Sequence, residues 1–206
     1  MLGLTPLQCD TLTEMLNIGV AKAAVKLGAM VHERIELSVP LVHFMPFSQF
    51  LEKLRGEYVE YISGVKQSFQ GGLRGKSLVL FPDEKSLTLV RLILQGIDSV
   101  EDNLNEIEED AISEVGNIIL NSCLATFADA YGMRIKTSLP EFIKGSLKVI
   151  DDTDYSDPKK SIMVMFISMK FQLSVHAIDG FMMILFEIDD LKEFTDLLDA
   201  FVENLR

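Results

Sequence analysis

Three polar residues near the start of the chain, followed by a proline, have types and a spacing that could serve chemistry or binding. Asp10, Glu14 and Asn17 follow one another at helical spacing, and 22 residues separate Asn17 from Pro40. A carboxylate can bind a cationic group, and a carboxamide can both donate and accept hydrogen bonds. Together on one helix face, these side chains suit contact with another polar surface. We therefore interpret Glu14 and Asn17 as candidate functional residues, with Asp10 in a supporting place.

The same arrangement recurs in the second half of the chain, 100 positions further along. Asp110, Glu114 and Asn117 repeat the acidic residue, the glutamate and the asparagine, and Pro140 again follows after 22 residues. Each proline is best explained by structure, because a residue without an N–H group suits a strand end or edge. Residues that build a fold would be repeated in the same way as residues that act. On spacing alone, a functional role and a structural or interfacial role of the repeated triad both remain open.

Helical phase predicts which side of each helix these residues occupy. At about 100° per residue, Asp10, Glu14 and Asn17 cover only about 60° of the helix surface, opposite a face of apolar and small residues. We therefore expect the glutamates and asparagines of both groups to be exposed. The residues expected to be buried are Leu16, Ala23, Ile119 and Cys123.

Small residues continue along the outer face of both predicted helices. They are Ala21 and Ala24 in the first helix, and Asn121 and Ala125 in the second. A face that meets only solvent would usually carry Lys and Glu pairs four residues apart. A carboxylate and a carboxamide beside a flat shelf of small residues favour close docking of another surface.

The periodicity of the chain predicts an α+β fold with two similar halves, about residues 1–100 and 101–206, within one domain of residues 1–206. Each half reads as helix, strand, strand, strand, helix. We expect a pseudo-twofold axis, one shared mixed sheet and the long helices on one face. Two unrelated α+β domains are the alternative. The predicted helices are 6–29, 87–94, 106–131 and 189–204, the extended segments are 34–40, 58–66, 76–81, 134–140, 161–169 and 181–186, and the linker is 97–105.

Composition and charge restrict the classes of partner. The chain has 31 acidic and 19 basic residues and a net charge of −12, so nucleic acid and anionic membrane surfaces are unfavourable partners. No apolar run approaches the roughly 18 residues of a membrane span, and the N-terminus lacks the features of a secretory signal. We expect no membrane insertion and a cytoplasmic location. Cys9 and Cys123 have neither CxxC nor Cys/His spacing, which predicts free thiols and no metal site.

At the repeated triads the sequence resembles the CheC/CheX/FliY family of chemotaxis phosphatases. That family's motif is an acidic residue or serine, three residues, a glutamate, two residues, an asparagine, about 22 residues and a proline. Both groups match it at every specified position. The run from Asn17 through Ile18 and Gly19 is also similar to the family's helix, although Ala21 stands where a second glycine is common. Two motifs in 206 residues are most similar to the CheC branch, since CheX is shorter and FliY carries an extra flagellar-switch domain.

The resemblance implies hydrolysis of the aspartyl phosphate of a CheY-like response regulator. It assigns the catalytic roles to Glu14, Asn17, Glu114 and Asn117, with Asp10 and Asp110 in support. The phosphorylated regulator would be the partner and would hold the Mg²⁺, so no cofactor is expected on this chain. The alternative is a non-catalytic adaptor that binds a response regulator or the receptor deamidase CheD. A motor-switch component is a weaker third possibility, because the switch domain is missing.

Overall fold

Two long helices and a seven-stranded sheet dominate the computed structural model, which describes residues 4–57, 61–93, 104–151, 162–173 and 176–204. Shorter helices lie between the strands and after them. In chain order the elements are α1 (Pro6–Val31), β1 (Ile35–Pro46), α2 (Phe47–Glu57), β2 (Tyr61–Gly71), β3 (Gly75–Pro82), α3 (Asp83–Ile93), α4 (Leu104–Tyr131), β4 (Ile135–Thr137), β5 (Glu141–Ser146), α5 (Lys148–Asp151), β6 (Ile162–Leu173), β7 (His176–Glu187) and α6 (Ile188–Asn204).

The strands form one continuous sheet. Its order is β1–β6–β7–β3–β2, and both β4 and β5 pair with β2 on its far side. Every pairing among the described strands is antiparallel, so the prediction of a mixed sheet is wrong. A parallel neighbour would need a long crossover connection, whereas β2 and β3 are joined directly by residues 72–74.

The two halves of the chain exchange their outer strands across the sheet. β1 from the first half pairs with β6 from the second, and β5 from the second half pairs with β2 from the first. β3 and β7 pair at the centre. If each strand is replaced by its counterpart from the other half, the strand order counted from one edge of the sheet becomes the order counted from the opposite edge. Two related halves would produce this order, and their superposition stays a prediction.

The long helices lie on one face of the sheet, as the sequence predicts. Leu16 of α1 and Ile119 of α4 pack into the same core as Met182 of β7. On the opposite face, Phe50 of α2 packs into a second core with Met183. Consecutive residues of β7 enter different cores because side chains alternate between the faces of a strand.

A glycine allows the two long helices to approach each other. A Cβ atom on Gly19 would lie 2.9 Å from the Cα of Cys123 and 3.1 Å from its Sγ. Packing therefore explains the glycine that follows Asn17 and Ile18. Burial raises the pKa of the Cys123 thiol to about 12, and both Cys9 and Cys123 are free, as predicted.

Among the described residues, α2 and α5 are helices that the periodicity of the sequence does not predict. In α2, Phe47, Phe50, Leu51 and Leu54 are buried at helical spacing, so the sequence does hold a signal for that helix. α5 has only four residues, which are too few for a periodic signal.

The extended segments and the linker differ in part from their predicted bounds. Residues 35–40 of segment 34–40 form the first part of the longer strand β1, whereas only Ile135–Thr137 of segment 134–140 forms a strand. Residues 97–103 of the predicted linker lie outside the described residues, and the remaining two begin α4. Residues 58–60, 94 and 161 of the predicted elements lie outside them as well.

One helix in the described part of the chain is long and apolar enough to cross a membrane by length and composition alone. It spans Glu106–Tyr131 and coincides with most of α4. In the fold, Ile112, Ile119 and Phe127 of this helix are buried in the core beside the sheet. Core helices of globular proteins share this composition, and the predicted lack of membrane insertion stays a prediction.

Candidate functional site

The structure places each predicted triad along one face of a long helix. The acidic residues are exposed on α1 (Asp10, Glu14) and on α4 (Asp110, Glu114). The four residues predicted to be buried are buried, at 0–1% exposure: Leu16, Ala23, Ile119 and Cys123.

The two asparagines are half-buried, whereas full exposure was predicted. Asn17 lies against β1, where its Oδ1 accepts a hydrogen bond of 3.0 Å from the backbone N–H of Val39. Asn117 lies against a neighbouring side chain of α4, and its Oδ1 accepts a hydrogen bond of 2.6 Å from Nδ2 of Asn121. These contacts cover part of each carboxamide, which helical phase alone could not reveal.

A bulge in β1 explains why Asn17 bonds to Val39. Ser38 pairs with Lys170 and Leu41 pairs with Ser168, so Val39 and Pro40 together lie opposite a single residue of β6. A bulge interrupts the ladder and leaves a backbone group without its strand partner. Asn17 supplies the acceptor for that group, and Pro40 has no N–H that would need one. The spacing from asparagine to proline in the motif therefore has a structural cause.

Among the described residues of the second half, Asn117 bonds to Asn121 and not to the backbone of residue 139. The residue that corresponds to Val39 is Leu139, which is 88% exposed, whereas Val39 is buried. The chain leaves the strand conformation over residues 138–140, and Ser138 bonds to β2 through its backbone N–H, 2.9 Å from the carbonyl oxygen of Ser68. The two candidate sites thus share residue types and helical spacing but differ in how the asparagine is held.

The small residues that continue from the first triad are only partly exposed. Ala21 is exposed, as predicted, whereas Ala24, which is predicted to lie on the outer face, is buried and lines a groove of about 630 Å³ between α1 and the start of β1. Val25, which is 75% exposed, also lines the groove. On α4, Ala125 is exposed and Asn121 is half-buried. Neither helix presents a bulky side chain at these positions, so a partner could approach the carboxamides closely.

The described residues do not meet the needs of a metal site. Within the described ranges, no cluster of three or more His, Cys, Asp or Glu side chains is placed to hold a metal ion. What the arrangement offers is a carboxamide for orienting a water molecule and, one turn earlier, a carboxylate for binding a cation.

Comparison with known proteins identifies the same family as the motif. The family described as chemotaxis phosphatase CheX matches residues 63–166, just over half of the chain, and this range includes Glu114 and Asn117. The CheY-P phosphatase CheC of Bacillus subtilis is 25% identical over 141 residues, which are 68% of this chain and 67% of that protein. The flagellar motor switch phosphatase FliY of the same organism is 22% identical over 138 residues, 66% of this chain but only 35% of FliY.

Solved structures share the fold. FliY of Thermotoga maritima superposes with a TM-score of 0.77 at 18% identity, over 97% of this chain and 99% of that one. CheX of Borrelia burgdorferi, solved in a complex with CheY, BeF3 and Mg²⁺, superposes with a TM-score of 0.51 at 18% identity, over 85% of this chain and 99% of that one. Together with the family match and the duplicated motif, the shared architecture shows that the chain belongs to the CheC/CheX/FliY family of chemotaxis phosphatases.

Proposed function

We propose that this protein hydrolyses the aspartyl phosphate of a CheY-like response regulator in chemotaxis signalling, in the cytoplasm. One observation carries the proposal: on α1 and again on α4, a half-buried asparagine lies one turn after an exposed glutamate and beside small residues. The relationship to the Bacillus subtilis CheY-P phosphatase supports it, as does the fold shared with a CheX solved together with CheY.

The reaction demands positioning more than covalent chemistry from this chain. A water oxygen forms a bond to phosphorus while the bond from phosphorus to the aspartate oxygen breaks, and the electron pair stays on the carboxylate. One water proton passes to the phosphate or to solvent. The transition state is loose, so the catalyst gains most by fixing the water in line and by stabilising charge. Asn17 and Asn117 would orient that water. The Mg²⁺ would belong to the regulator.

The exposed glutamates suit docking. Glu14 and Glu114 can each pair with a cationic side chain of the regulator and so set the register of the carboxamide against the phosphoryl group. The net charge of −12 would slow encounter with an acidic regulator, so attraction has to be local to such pairs.

The test is phosphate release from a phosphorylated CheY-like regulator, with and without this protein. We expect the double variant Asn17→Ala with Asn117→Ala to lose stimulated phosphate release by roughly 10²–10³-fold while binding of the regulator is retained, because one positioning contact contributes about 2–4 kcal/mol.

The single variants Glu14→Ala and Glu114→Ala should mainly raise the regulator concentration at half-maximal rate. Glu109→Ala is the matched control, since this glutamate is exposed elsewhere on α4.

Loss of a structural contact must be separated from loss of chemistry at the first site. Asn17→Ala removes the acceptor for the Val39 N–H, whereas Asn17→Asp keeps an acceptor there. Asn17→Asp should therefore unfold at nearly the same denaturant concentration as wild type but still lack the neutral carboxamide. Should the double alanine variant release phosphate as fast as wild type, the phosphatase proposal fails, and an adaptor that binds the regulator or CheD takes its place.

A further inference from the structure

The donors that hold the two asparagines differ in kind. The partner of Asn17 is a backbone N–H, which can only donate, so Oδ1 must face Val39. The amide nitrogen of Asn17 is then the branch that does not face the Val39 N–H. The carboxamide of Asn17 is fixed in one of its two orientations.

The partner of Asn117 is a carboxamide, which can donate or accept. In the structure Nδ2 of Asn121 donates to Oδ1 of Asn117 at 2.6 Å. If both side-chain amides turn by about 180°, Nδ2 of Asn117 donates to Oδ1 of Asn121, and the number of hydrogen bonds is unchanged. Asn117 can therefore present either its nitrogen or its oxygen to a partner. The first site has no such neighbour, because the corresponding residue is Ala21.

The orientation matters for the attacking water. When phosphorus is attacked, a lone pair of the water oxygen must face it, so the water hydrogens point elsewhere and need an acceptor. The carbonyl oxygen of a carboxamide is such an acceptor, whereas its nitrogen can only donate. An asparagine that turns its oxygen outward is thus better suited to orient the water than one whose oxygen faces the protein.

We propose that Asn121 is a positioning residue of the second site, which lets Asn117 turn its carbonyl oxygen to the attacking water and holds it there. Asn121 acts through Asn117 and makes no contact with the phosphoryl group. This inference rests on the proposed phosphatase function and adds to it a residue outside the family motif.

The test reads the second site alone, in protein that carries Asn17→Ala. Asn121→Asp introduces a carboxylate, which at neutral pH can only accept hydrogen bonds. Asn117 must then donate its amide N–H to residue 121 and keep its carbonyl oxygen outward. The kcat of this variant should stay within about threefold of the parent. Asn121→Leu has a similar shape but no hydrogen bond, and kcat should fall by about 10–100-fold with the half-saturating regulator concentration unchanged. Denaturant unfolding of Asn121→Leu should match the parent, which a merely structural role would not predict. Glu109→Ala is again the control.

Each other outcome counts against the proposal. Equal kcat for the parent and Asn121→Leu would show that Asn121 does not position Asn117. Equal losses in Asn121→Asp and Asn121→Leu would show that orientation of the amide is not what Asn121 controls. If wild type stimulates phosphate release but the Asn17→Ala parent does not, the second site is inactive and the inference alone fails. If wild type itself gives no stimulation, the proposed function fails with it.

Discussion

Polar side chains surround the carboxylate of Glu108, which is buried on α4 two residues before Asp110. One oxygen lies 3.1 Å from Ser86 Oγ and 3.3 Å from Ser63 Oγ, and each of these hydroxyls also lies 2.7 Å from an oxygen of Asp83. The other accepts from Lys144 Nζ at 2.7 Å. The bonds join β2, β5, α3 and α4, so the charge of Glu108 is compensated by elements from both halves of the chain.

Lys144 is shared between two carboxylates. Its Nζ lies 2.7 Å from Glu108 and 3.4 Å from Oδ1 of Asp83. Burial alone would lower the pKa of Lys144, but the hydrogen bond to Glu108 and the charges of Glu108 and Asp83 outweigh it and raise the pKa above the ordinary value of 10.5. The lysine thus remains charged throughout the neutral range and stabilises the folded state there.

We expect Lys144→Met to lower the free energy of unfolding by about 2–3 kcal/mol, because it leaves Glu108 buried without a cation. The value lies below that of a fully buried pair since Lys144 is partly exposed. Urea unfolding measures it, and Lys136→Met, at an exposed position of β4, should change little. Because the folded-state pKa is raised, the contribution of Lys144 is complete below pH 10.5 and is lost as the pH rises through the raised value. A difference between wild type and variant that grows above pH 10.5 would contradict this account.

At the residue scale, the sequence predicts the direction of a side chain better than its partners. Helical phase correctly places Glu14 and Glu114 outside and Leu16 inside. The phase of Glu108 agrees with its burial, since it lies four residues before the buried Ile112, but the sequence does not indicate the groups that compensate its charge, because they come from segments distant in the chain. The bond from Val39 to Asn17 is not predicted, because the sequence indicates for Pro40 only a strand end or edge.

The long helices end alike, although their last residues differ. α1 begins with a capping box in which Thr5 and Gln8 exchange hydrogen bonds. At its other end it is followed by the cap residue His32, whose φ is 57°. α4 is followed by Gly132, whose φ is 62° and which lies 100 positions after His32. A left-handed residue commonly ends a helix, but only glycine adopts that conformation without steric cost. His32 therefore carries strain that its counterpart avoids.

His32→Gly should raise the free energy of unfolding by about 0.5–1 kcal/mol, because a left-handed conformation costs a residue with a Cβ atom roughly 1–2 kcal/mol and glycine loses more entropy on folding. The reciprocal change, Gly132→Ala, should lower it by about 1 kcal/mol, and nothing within 4 Å of the added Cβ would obscure the result. Urea unfolding of both variants measures these effects. A destabilised His32→Gly protein would mean that the histidine side chain makes a contact worth more than the strain.

At the element scale, long periodic segments are predicted well and short or irregular ones poorly. The bounds of α1 and α4 differ from the predicted helices by two residues at most. α2 follows β1 directly, between the predicted segments 34–40 and 58–66, where no element is predicted although buried apolar residues recur at helical spacing. The break between β4 and β5 arises where the chain bonds to β2, which is a tertiary effect that no local pattern describes.

The exchange of outer strands makes each candidate site depend on the other half of the molecule. The bulge of β1 that Asn17 completes is formed against β6, and β6 belongs to the second half. In the same way, β4 and β5, which flank Pro140, are held by β2 of the first half. The geometry of either asparagine is therefore a property of the whole sheet.

Cutting the chain between the halves should leave them associated, because β1 with β6, β3 with β7 and β2 with β5 all pair across the cut. A protease site inserted between residues 99 and 100 allows the cut, and those positions lie within the predicted linker. After cleavage, we expect the two fragments to elute together from a size-exclusion column, to keep the circular dichroism of the intact chain and to separate only in denaturant. The intact protein with the same insertion is the control. Fragments that separate without denaturant and each retain a folded spectrum would show two independent domains, and the exchanged sheet would be wrong.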